Sequence, residues 1–422
     1  MKNKYSEKLQ SGGKEAPEEH EITRKVNITY LHPHFTIPGG AGNVVLESAC
    51  RLDPTKFNVQ ILCIRAAQNY KKRYPGLSFI EIGGPLPSNL LFWVIFPWTQ
   101  FKVHQVLKSF FPRIIFPNVL PANWWAFIFK IFHPEVACLW YGHEPSAFIH
   151  SSQWITAISN PVIRVSAKIL NPVLKAIDIF LVSNGPDRVI ANSKFGISLF
   201  KGAYQNNITH FLYPGIDLTF FVPRKTKKKY LFMISRLTKF KNVHIAIEAM
   251  SKSTNTEYTL IIGGDGEEKE NLVGLSKKLG IEDRVRFIGP VPFEQLPKFY
   301  GEAKLVLFLS SEEPFGMVPI EALACGTPVI GANSGGLKET IQHNHNGILL
   351  DNLTPGNLQV AIDDLLADSG RYRLLQQHAR KSVEEFGWEQ HVKKLEQIFE
   401  DLTSHCPMDW SHVDQENCLK ST

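Results

Sequence analysis

The chain has 422 residues, of which 44% are hydrophobic and 20% are charged, and its net charge at pH 7 is +6. This length exceeds what one hydrophobic core usually serves, so two domains are expected, and the composition is ordinary for a soluble globular protein. The modest positive charge is compatible with an anionic substrate or membrane surface, and equally with a surface that has no specific partner.

Six cysteines are scattered along the chain without the C-x-x-C spacing of zinc sites. They indicate neither a metal centre nor a disulfide framework, so a reducing, cytoplasmic compartment is expected. Residues 1–22 are polar and charged, without the apolar core of a signal peptide. Residues 403–422 show no periodicity, and both ends are predicted to be disordered tails.

The sequence predicts no spanning helix, because no apolar run reaches the length of about 18 residues that a membrane span needs. The nearest approach is Leu90–Trp98, which is followed by further aromatic pairs. Two interpretations remain open for this region. It is either a face that rests peripherally on the cytoplasmic side of a membrane, or a buried helix with core aromatics.

The first predicted strand, residues 26–31, leads into a glycine-rich loop, His32–Gly42, and then into a helix over residues 43–52. Such a turn is where backbone N–H groups approach a phosphate, although a flexible turn is the plainer interpretation. The loop lacks the G-x-G-x-x-G fingerprint, which argues against an NAD-dependent oxidoreductase.

Later strands of the first half are predicted over residues 59–64, 77–82 and 136–141. The last of them ends just before His143, which could donate a hydrogen bond to a ligand or simply pack beneath the following loop. The basic run Val222–Lys229 is predicted to link two domains, either as a solvated hinge or as a contact for acidic lipid.

The second half repeats the same rhythm of strands and helices. A strand over residues 230–234 precedes Arg236 and Lys241. The planar guanidinium of the arginine and the compact ammonium charge of the lysine both suit a phosphate. After the next strand, Gly264 marks a tight turn. The two halves are therefore predicted to be two doubly wound α/β sheets that face each other across a cleft.

The most informative stretch is Ser310–Gly331, which reads SSEEPFGMVPIEALACGTPVIG and follows a predicted buried strand over residues 305–309. Pro319 fits the first turn of a helix, and Gly326 caps that helix before the next strand. Glu313 is thus placed in a loop at the carboxyl end of a parallel strand, where ligands bind in open α/β sheets.

Glu313 and Glu321 could be an acid/base pair, but their spacing argues against it. Eight residues of helix span roughly 12 Å, whereas the carboxyl pairs of glycoside hydrolases lie about 5 to 9.5 Å apart. Two separate ligand contacts are therefore expected, with the backbone N–H groups of residues 315–318 facing hydroxyl or phosphate oxygens.

With its flanks Glu-Pro-Phe-Gly and Cys-Gly-Thr-Pro-Val-Ile, this pair resembles the E-x7-E motif of retaining GT-B glycosyltransferases of family 4. The resemblance covers residues 26–402. It implies two Rossmann-like domains, one for the acceptor at 23–222 and one for a nucleotide sugar at 223–385, and a crossover helix at 386–402. Asn242 departs from the family pattern by replacing a glycine, which puts the tightness of that turn in doubt.

The resemblance also implies roles for individual residues. Arg236 and Lys241 would stabilise the leaving diphosphate. Glu313 would accept hydrogen bonds from hydroxyls of the donor hexose and Glu321 from the ribose, while His143 would lie beside the reacting sugar carbon. The other residues implied to bind the donor are Gly39, Gly40, Gly264, Phe315, Gly316, Met317 and Val318.

The implied activity is retaining transfer of a hexose from a nucleotide sugar to a glycan or lipid-linked acceptor. No cofactor or metal is expected, because two cations and a helix start take the metal's place and no D-x-D pair occurs in the chain. No nucleic-acid partner is expected either. The Glu-Pro-Phe-Gly form of the loop favours GDP-mannose as donor, with a UDP-hexose next; the rival is a catalytically silent, sugar-nucleotide-binding partner of another transferase.

Overall fold

The computed structural model describes residues 25–36, 39–150, 155, 161–205, 210–311 and 313–404. The two predicted tails lie outside the described residues, apart from residues 403–404, which belong to the last helix.

The first domain is built on a parallel sheet in the order β5-β3-β1-β6-β7-β8-β9, with a short β2-β4 pair beside it. The strands are β1 (Val26–Leu31), β2 (His34–Phe35), β3 (Phe57–Cys63), β4 (Arg65–Ala66), β5 (Ser78–Glu81), β6 (Ile114–Pro117), β7 (Ala137–Gly142), β8 (Arg188–Ala191) and β9 (His210–Phe211). The helices are α1 (Gly40–Ala49), α2 (Gln68–Arg73), α3 (Leu90–Val94), α4 (Phe96–Phe110), α5 (Ala122–Phe132), α6 (Ala147–His150), α7 (Pro161–Asn184) and α8 (Lys194–Tyr204).

The second domain repeats this plan with the strand order β12-β11-β10-β13-β14-β15. Its strands are β10 (Tyr230–Ile234), β11 (Thr259–Gly263), β12 (Val285–Gly289), β13 (Leu305–Phe308), β14 (Val329–Ala332) and β15 (Gly347–Leu350). Its helices are α9 (Val243–Lys252), α10 (Lys269–Lys278), α11 (Leu296–Glu302), α12 (Met317–Ala324), α13 (Leu337–Thr340), α14 (Pro355–Ala367) and α15 (Ser369–Lys381). The final helix, α16 (Trp388–Ser404), leaves this domain.

Both sheets are apolar on their two faces, as the central strand of the first domain illustrates. In β1, Tyr30 packs in the core cluster on one face and the next residue, Leu31, packs in the cluster on the other, each fully buried. Parallel strands covered by helices on both sides need such continuous apolar runs. The prediction of two doubly wound α/β domains is confirmed.

The chain passes between the domains at two points that are hydrogen-bonded to each other. The Ile216 N–H donates to the carbonyl of Phe386 at 2.8 Å, and the Trp388 N–H donates to the carbonyl of Ile216 at 3.2 Å. Beyond this junction α16 packs on the first domain, where the Phe399 ring meets Phe57 edge-on at 5.9 Å. The last helix therefore joins the core of the first domain.

Two details of the predicted linker need correction. The sequence places residues 216–222 in the first domain, whereas Phe221 is buried in the second-domain core, where its ring contacts Phe293 and Tyr300. The basic run that follows is not a free hinge. Lys228 Nζ lies 2.6 Å from a carboxylate oxygen of Glu302, and Lys227 donates to the hydroxyl of Thr327, so the run is fastened along the second domain.

Two other elements differ from expectation. Helix α1 begins at Gly40 rather than at residue 43, so the glycine loop forms the first turn of the helix. The run Leu90–Trp98 forms α3 and the start of α4, in which Phe92 is buried while Trp98 is 45% exposed. Neither a wholly buried helix nor a wholly exposed face describes it. Among the described residues, no helix combines the length and apolarity needed to cross a membrane.

Candidate active site

A lysine and a carboxylate meet at the centre of the second sheet. Strands β10 and β13 are neighbours at the point where the strand order reverses, and the loops after them carry Lys241 and Glu313. Lys241 Nζ lies 2.7 Å from Glu313 Oε2 and 3.1 Å from Ser310 Oγ. The Ser310 hydroxyl donates to the same carboxylate oxygen at 2.9 Å. Two residues that the sequence singled out are thus in direct contact, at the place where open α/β sheets bind ligands.

Arg236, the other predicted cation, has a different environment. Its side chain is exposed and forms no hydrogen bond or ion pair with any other described residue. Its neighbour Leu237 is fully buried, and the Leu237 N–H donates to the carbonyl of Asp265 at 2.9 Å. The backbone of this loop is therefore held in place, while the guanidinium of Arg236 is available to an anion.

The turn before α9 is tight even though it contains asparagine instead of glycine. Asn242 has φ +53° and ψ +33°, a left-handed conformation that asparagine adopts more readily than most residues. Its side-chain amide donates to the carbonyl of Leu309 at 2.9 Å, which ties the turn to the loop after β13. The doubt raised by the sequence is removed, because the asparagine both accepts this conformation and bridges the two loops.

Gly264 supports the loop that carries Arg236. Its φ is +110°, and a Cβ there would lie 1.9 Å from the carbonyl oxygen of Ser235. Gly266 is similarly close, since its Cβ would lie 2.3 Å from the carbonyl oxygen of Leu237. This is more than a plain tight turn, because the two backbones approach closely only where side chains are absent. Contact between Gly264 and a donor stays a prediction.

Two helix starts face each other across the cleft. Helix α12 follows Gly316, at φ +94°, and helix α1 follows Gly39; neither glycine supplies a side-chain cap. A Cβ on Gly40 would lie 3.8 Å from Met317 Cγ, so the first turns of the two helices are neighbours. Uncapped N–H groups and the positive ends of two helix dipoles therefore converge where an anionic group can bind.

Phe315 and Val318 flank this position in different ways. The Phe315 ring is buried and stacks on Tyr213 at a centroid distance of 5.3 Å, with Phe386 packed edge-on at 5.5 Å. Val318 is half-buried on α12. The aromatic side chain thus anchors the loop to the domain junction, which leaves the backbone rather than the ring to meet a ligand.

Glu321 lies deeper on α12 and is almost fully buried. The Tyr300 hydroxyl donates to its Oε2 at 2.7 Å. Burial raises the pKa of Glu321 to about 7, against the opposing effect of the Tyr300 hydrogen bond. The residue lines a cleft pocket of about 340 Å³ together with Asn43 and Phe293, so its free oxygen is within reach of a ligand in that pocket.

We expect Glu321→Gln to change how stability depends on pH. The folded-state pKa of about 7 is above the ordinary value of 4.5, so between these values the folded protein binds one proton more than the unfolded chain. The free energy of unfolding of the wild type therefore falls as pH rises through this window. Glutamine removes the fall, and the variant gains up to roughly 3 kcal/mol over the wild type above the window.

Urea unfolding on both sides of this window measures the effect. Glu270→Gln on α10 is the matched control, because that carboxylate is exposed and its substitution should leave the pH profile unchanged. An equal difference between Glu321→Gln and the wild type at every pH would contradict the assignment.

His143 lies at the end of β7 on the first-domain side. Burial lowers its pKa to about 4, and the nearby His391 contributes to the shift. His32, after β1, is also buried, and its pKa is lowered to about 3. His143 Nε2 is buried and has no hydrogen-bond partner among the described residues. At neutral pH this side chain is therefore an uncharged group that a ligand could satisfy by hydrogen bonding, not a cation.

Sequence reasoning missed Glu144, which follows His143. The pKa of Glu144 is raised to about 7, mainly by desolvation in the cleft and also by the nearby Glu313 charge, while Lys241 opposes the shift and the residue remains exposed at its edge. A first-domain carboxyl is thus electrostatically coupled to the second-domain pair. Its position at a strand end was the available signal; its partners across the cleft could not be read from the sequence.

A second missed residue, Glu339 of α13, joins the domains. Its carboxylate accepts from the backbone N–H groups of Lys194 and Phe195 at 3.0 and 2.7 Å, which begin helix α8 in the first domain. The Ser193 hydroxyl donates to the carbonyl of Pro314, next to Glu313. A carboxylate at a helix start is favourable, so these contacts hold the Glu313 loop against the first domain.

Comparison with known proteins finds a family similarity that lies mainly in the second domain. Residues 217–382 match the model described as Glycosyl transferases group 1. Over 178 residues the chain is 38% identical to N-acetyl-alpha-D-glucosaminyl L-malate synthase of Bacillus anthracis, covering 42% of this chain and 46% of that one. Over 415 residues it is 27% identical to D-inositol 3-phosphate glycosyltransferase of Salinispora tropica, covering 89% of this chain and 84% of that one. The chain thus spans about half the length of the Bacillus anthracis relative, to which its identity is higher.

The fold extends the likeness to both domains. The structure is similar to that of HepE from Anabaena in complex with UDP and glucose, with a TM-score of 0.73 and 20% identity over 89% of this chain and 100% of that one. At this identity the likeness establishes the architecture alone. The chain therefore has the GT-B fold, and its second domain is similar to the glycosyl transferases group 1 family.

Proposed function

We propose that the protein transfers a hexose, with retention of configuration, from a nucleotide sugar to a glycan or lipid-linked acceptor in a reducing, cytoplasmic compartment. The observation that carries this proposal is the pairing of Lys241 with Glu313 beside two uncapped helix starts. A sugar diphosphate needs positive charge for its phosphates and an acceptor for its hydroxyls, and this pair offers both within 2.7 Å.

Each group has a task in the proposed reaction. The bond between the anomeric carbon and the donor phosphate breaks, a bond to the acceptor oxygen forms on the same face, and the acceptor proton passes to the leaving phosphate. Arg236 and Lys241 stabilise the charge that develops on the diphosphate. Glu313 accepts hydrogen bonds from hexose hydroxyls, and Glu321 accepts from the ribose in the cleft pocket.

The first-domain residues act on the acceptor side of the same reaction. His143 is uncharged at neutral pH and has an unsatisfied buried nitrogen, so it donates to or accepts from a sugar hydroxyl. Glu144 has a pKa of about 7 and is therefore partly protonated, which suits a hydrogen bond with an acceptor hydroxyl. No protein carboxylate has to stand below the anomeric carbon in this scheme.

We favour GDP-mannose as the donor because of the Glu-Pro-Phe-Gly form of the loop at residues 313–316. A UDP-hexose is the second candidate. The relative from Bacillus anthracis is named for an N-acetylglucosaminyl product, so proteins with a similar second domain are not confined to mannose. The rival reading, a silent sugar-nucleotide-binding partner, is disfavoured because both cations and both glutamates are present.

Thermal-shift measurements with GDP- and UDP-sugars test the donor, since a ligand that binds only the folded state raises its stability. We expect GDP-mannose to raise the Tm and to yield an α-mannoside with a suitable acceptor. A shift with UDP-glucose and none with GDP-mannose would change the donor but not the mechanism. A β-linked product would remove the retaining mechanism, and binding without any transfer or hydrolysis would favour the silent partner.

We also expect turnover to persist in excess chelator, because the diphosphate charge is met by Arg236, Lys241 and helix starts. Donor consumption is measured with and without chelator in metal-free buffer. If chelator abolishes turnover and magnesium or manganese restores it, the charge stabilisation proposed here is insufficient without a metal ion.

A further inference from the structure

One side of the first domain exposes an apolar stripe along a helix. On α7, Val165, Ile169, Val173 and Ile177 are 56%, 70%, 58% and 42% exposed. Their spacing of four residues aligns them on one side of the helix, which is 24 residues long. The side chains are therefore arranged as a continuous ridge, the opposite of the isolated exposed apolar residues that soluble proteins commonly show.

A second set of exposed apolar side chains lies nearby on α3 and α4. Trp93 and Trp98 are 37% and 45% exposed, and Trp93 packs edge-on against Trp124 of α5 at 6.3 Å. An open groove of about 550 Å³ joins the two sets, lined on one side by Phe96 and Trp124 and on the other by Ile177 and its neighbours on α7. We call this combined surface of α3, α4 and the outer side of α7 the apolar platform.

The orientation of α7 is fixed by a buried carboxylate on its inner side. Asp178 is fully buried and accepts from the Trp124 indole N–H at 2.5 Å, the Ser146 hydroxyl at 3.0 Å and the Tyr204 hydroxyl at 2.7 Å. His150 Nε2 lies 2.9 Å from its second oxygen. Rotating α7 about its axis so that the ridge pointed inward would break all four contacts of Asp178. These contacts therefore keep the ridge on the outer side of the domain.

The exposed charged side chains around the platform are basic. Residues 82–134, which contain α3, α4 and α5, include no Asp or Glu, and in α7 the single acidic residue is the buried Asp178. Arg164, Lys168 and Lys175 are four and seven residues apart, so they follow one edge of the ridge. An apolar ridge bordered by cations suits an anionic lipid surface, with the tryptophans at the headgroup level.

We infer that the apolar platform docks the first domain on an anionic lipid bilayer, with α7 lying in the plane of the interface. A second copy of the chain is a poorer occupant. In a twofold contact each subunit would present the same surface, and α3, α4 and α7 offer no exposed acidic residue that could pair with the cations of the other copy. A bilayer offers an apolar interior for the ridge and negative headgroups for the cations beside it.

Membrane docking makes a lipid-linked molecule the expected acceptor of the proposed reaction. Only this statement about the acceptor rests on the proposed function. The structure connects platform and site through Ser146, whose hydroxyl bonds Asp178 of α7 and which follows His143 by three residues. Vesicle binding is measured without donor, so its failure would leave the transfer chemistry untouched.

Flotation of the full chain with vesicles of equal parts phosphatidylglycerol and phosphatidylcholine tests the inference. We expect binding at low salt, and weaker binding to vesicles of phosphatidylcholine alone. The variant carrying Ile169→Glu and Ile177→Glu should lose roughly a hundredfold in partition coefficient, since each isoleucine kept out of lipid forfeits about a tenfold factor. Lys168→Gln should lose roughly fivefold and become less sensitive to salt.

Matched substitutions on the second domain control for charge and exposure. Val360 and Leu374 are 51% and 56% exposed on α14 and α15, and Val360→Glu with Leu374→Glu should float like the wild type. If the isoleucine variant unfolds, Lys168→Gln still decides, because it changes an exposed side chain. Absence of wild-type flotation, or equal flotation of all variants, overturns the inference. So does a wild-type dimer that the isoleucine variant dissociates while neither protein floats.

Discussion

Arg236→Ala is expected to lower the turnover number by about two to three orders of magnitude, the usual cost of removing one preorganised group that meets developing charge. The side chain is exposed and makes no bond with another described residue, so its loss should leave the Tm unchanged. A change in turnover without a change in stability would place the effect on the transition state.

Two further variants sharpen this test. Lys239→Ala removes an exposed cation from the same loop, and we expect its turnover to remain within a few-fold of the wild type. Lys241→Ala should lower turnover as much as Arg236→Ala, but it also deprives Glu313 of its partner at 2.7 Å. If Arg236→Ala behaved like Lys239→Ala, the guanidinium would have no role on the diphosphate.

Gly264→Ala is expected to lower the free energy of unfolding by about 3 kcal/mol or more. The residue has φ +110°, and the new methyl carbon would meet the Ser235 carbonyl oxygen at 1.9 Å, so the backbone has to move. Strained backbone alone costs about 1 to 3 kcal/mol, and the collision adds to it. Urea unfolding measures the loss.

Gly274→Ala is the matched control, because Gly274 lies inside helix α10 and a Cβ there would meet nothing within 4 Å. Alanine in a helix interior should stabilise the protein by roughly 0.5 to 1 kcal/mol. The two variants are thus expected to shift stability in opposite directions. If they shifted it equally, the close approach between Gly264 and the Arg236 loop would be unnecessary for folding.

The fold and the second-domain half of the site were within reach of the sequence. Strand ends in a doubly wound sheet meet at one edge, so Lys241 and Glu313 could be expected near each other although 72 residues separate them. Gly326, at φ +66°, ends α12 as predicted, because helix termination by glycine is a local matter. Roles in donor binding and catalysis stay predictions until the variants are measured.

What the sequence could not supply were the relations across the cleft and the direction of helix faces. Glu144 and Glu339 look like ordinary charged residues until the other domain is placed beside them. Helix α7 shows the second difficulty: a spacing of four between apolar residues predicts an amphipathic helix, but not which side of it meets the protein. Here the buried Asp178 faces inward and the isoleucines face outward, the reverse of the usual arrangement.

The bonded junction between Ile216 and the chain at residues 386–388 has a mechanical consequence. The two interdomain segments are joined at one place, so the domains can rotate about this junction. Sliding of one domain along the other would break the backbone hydrogen bonds that join the segments. The cleft must then open widest far from the junction. Any rotation that opens the cleft has to release the carboxylate of Glu339 from the start of α8.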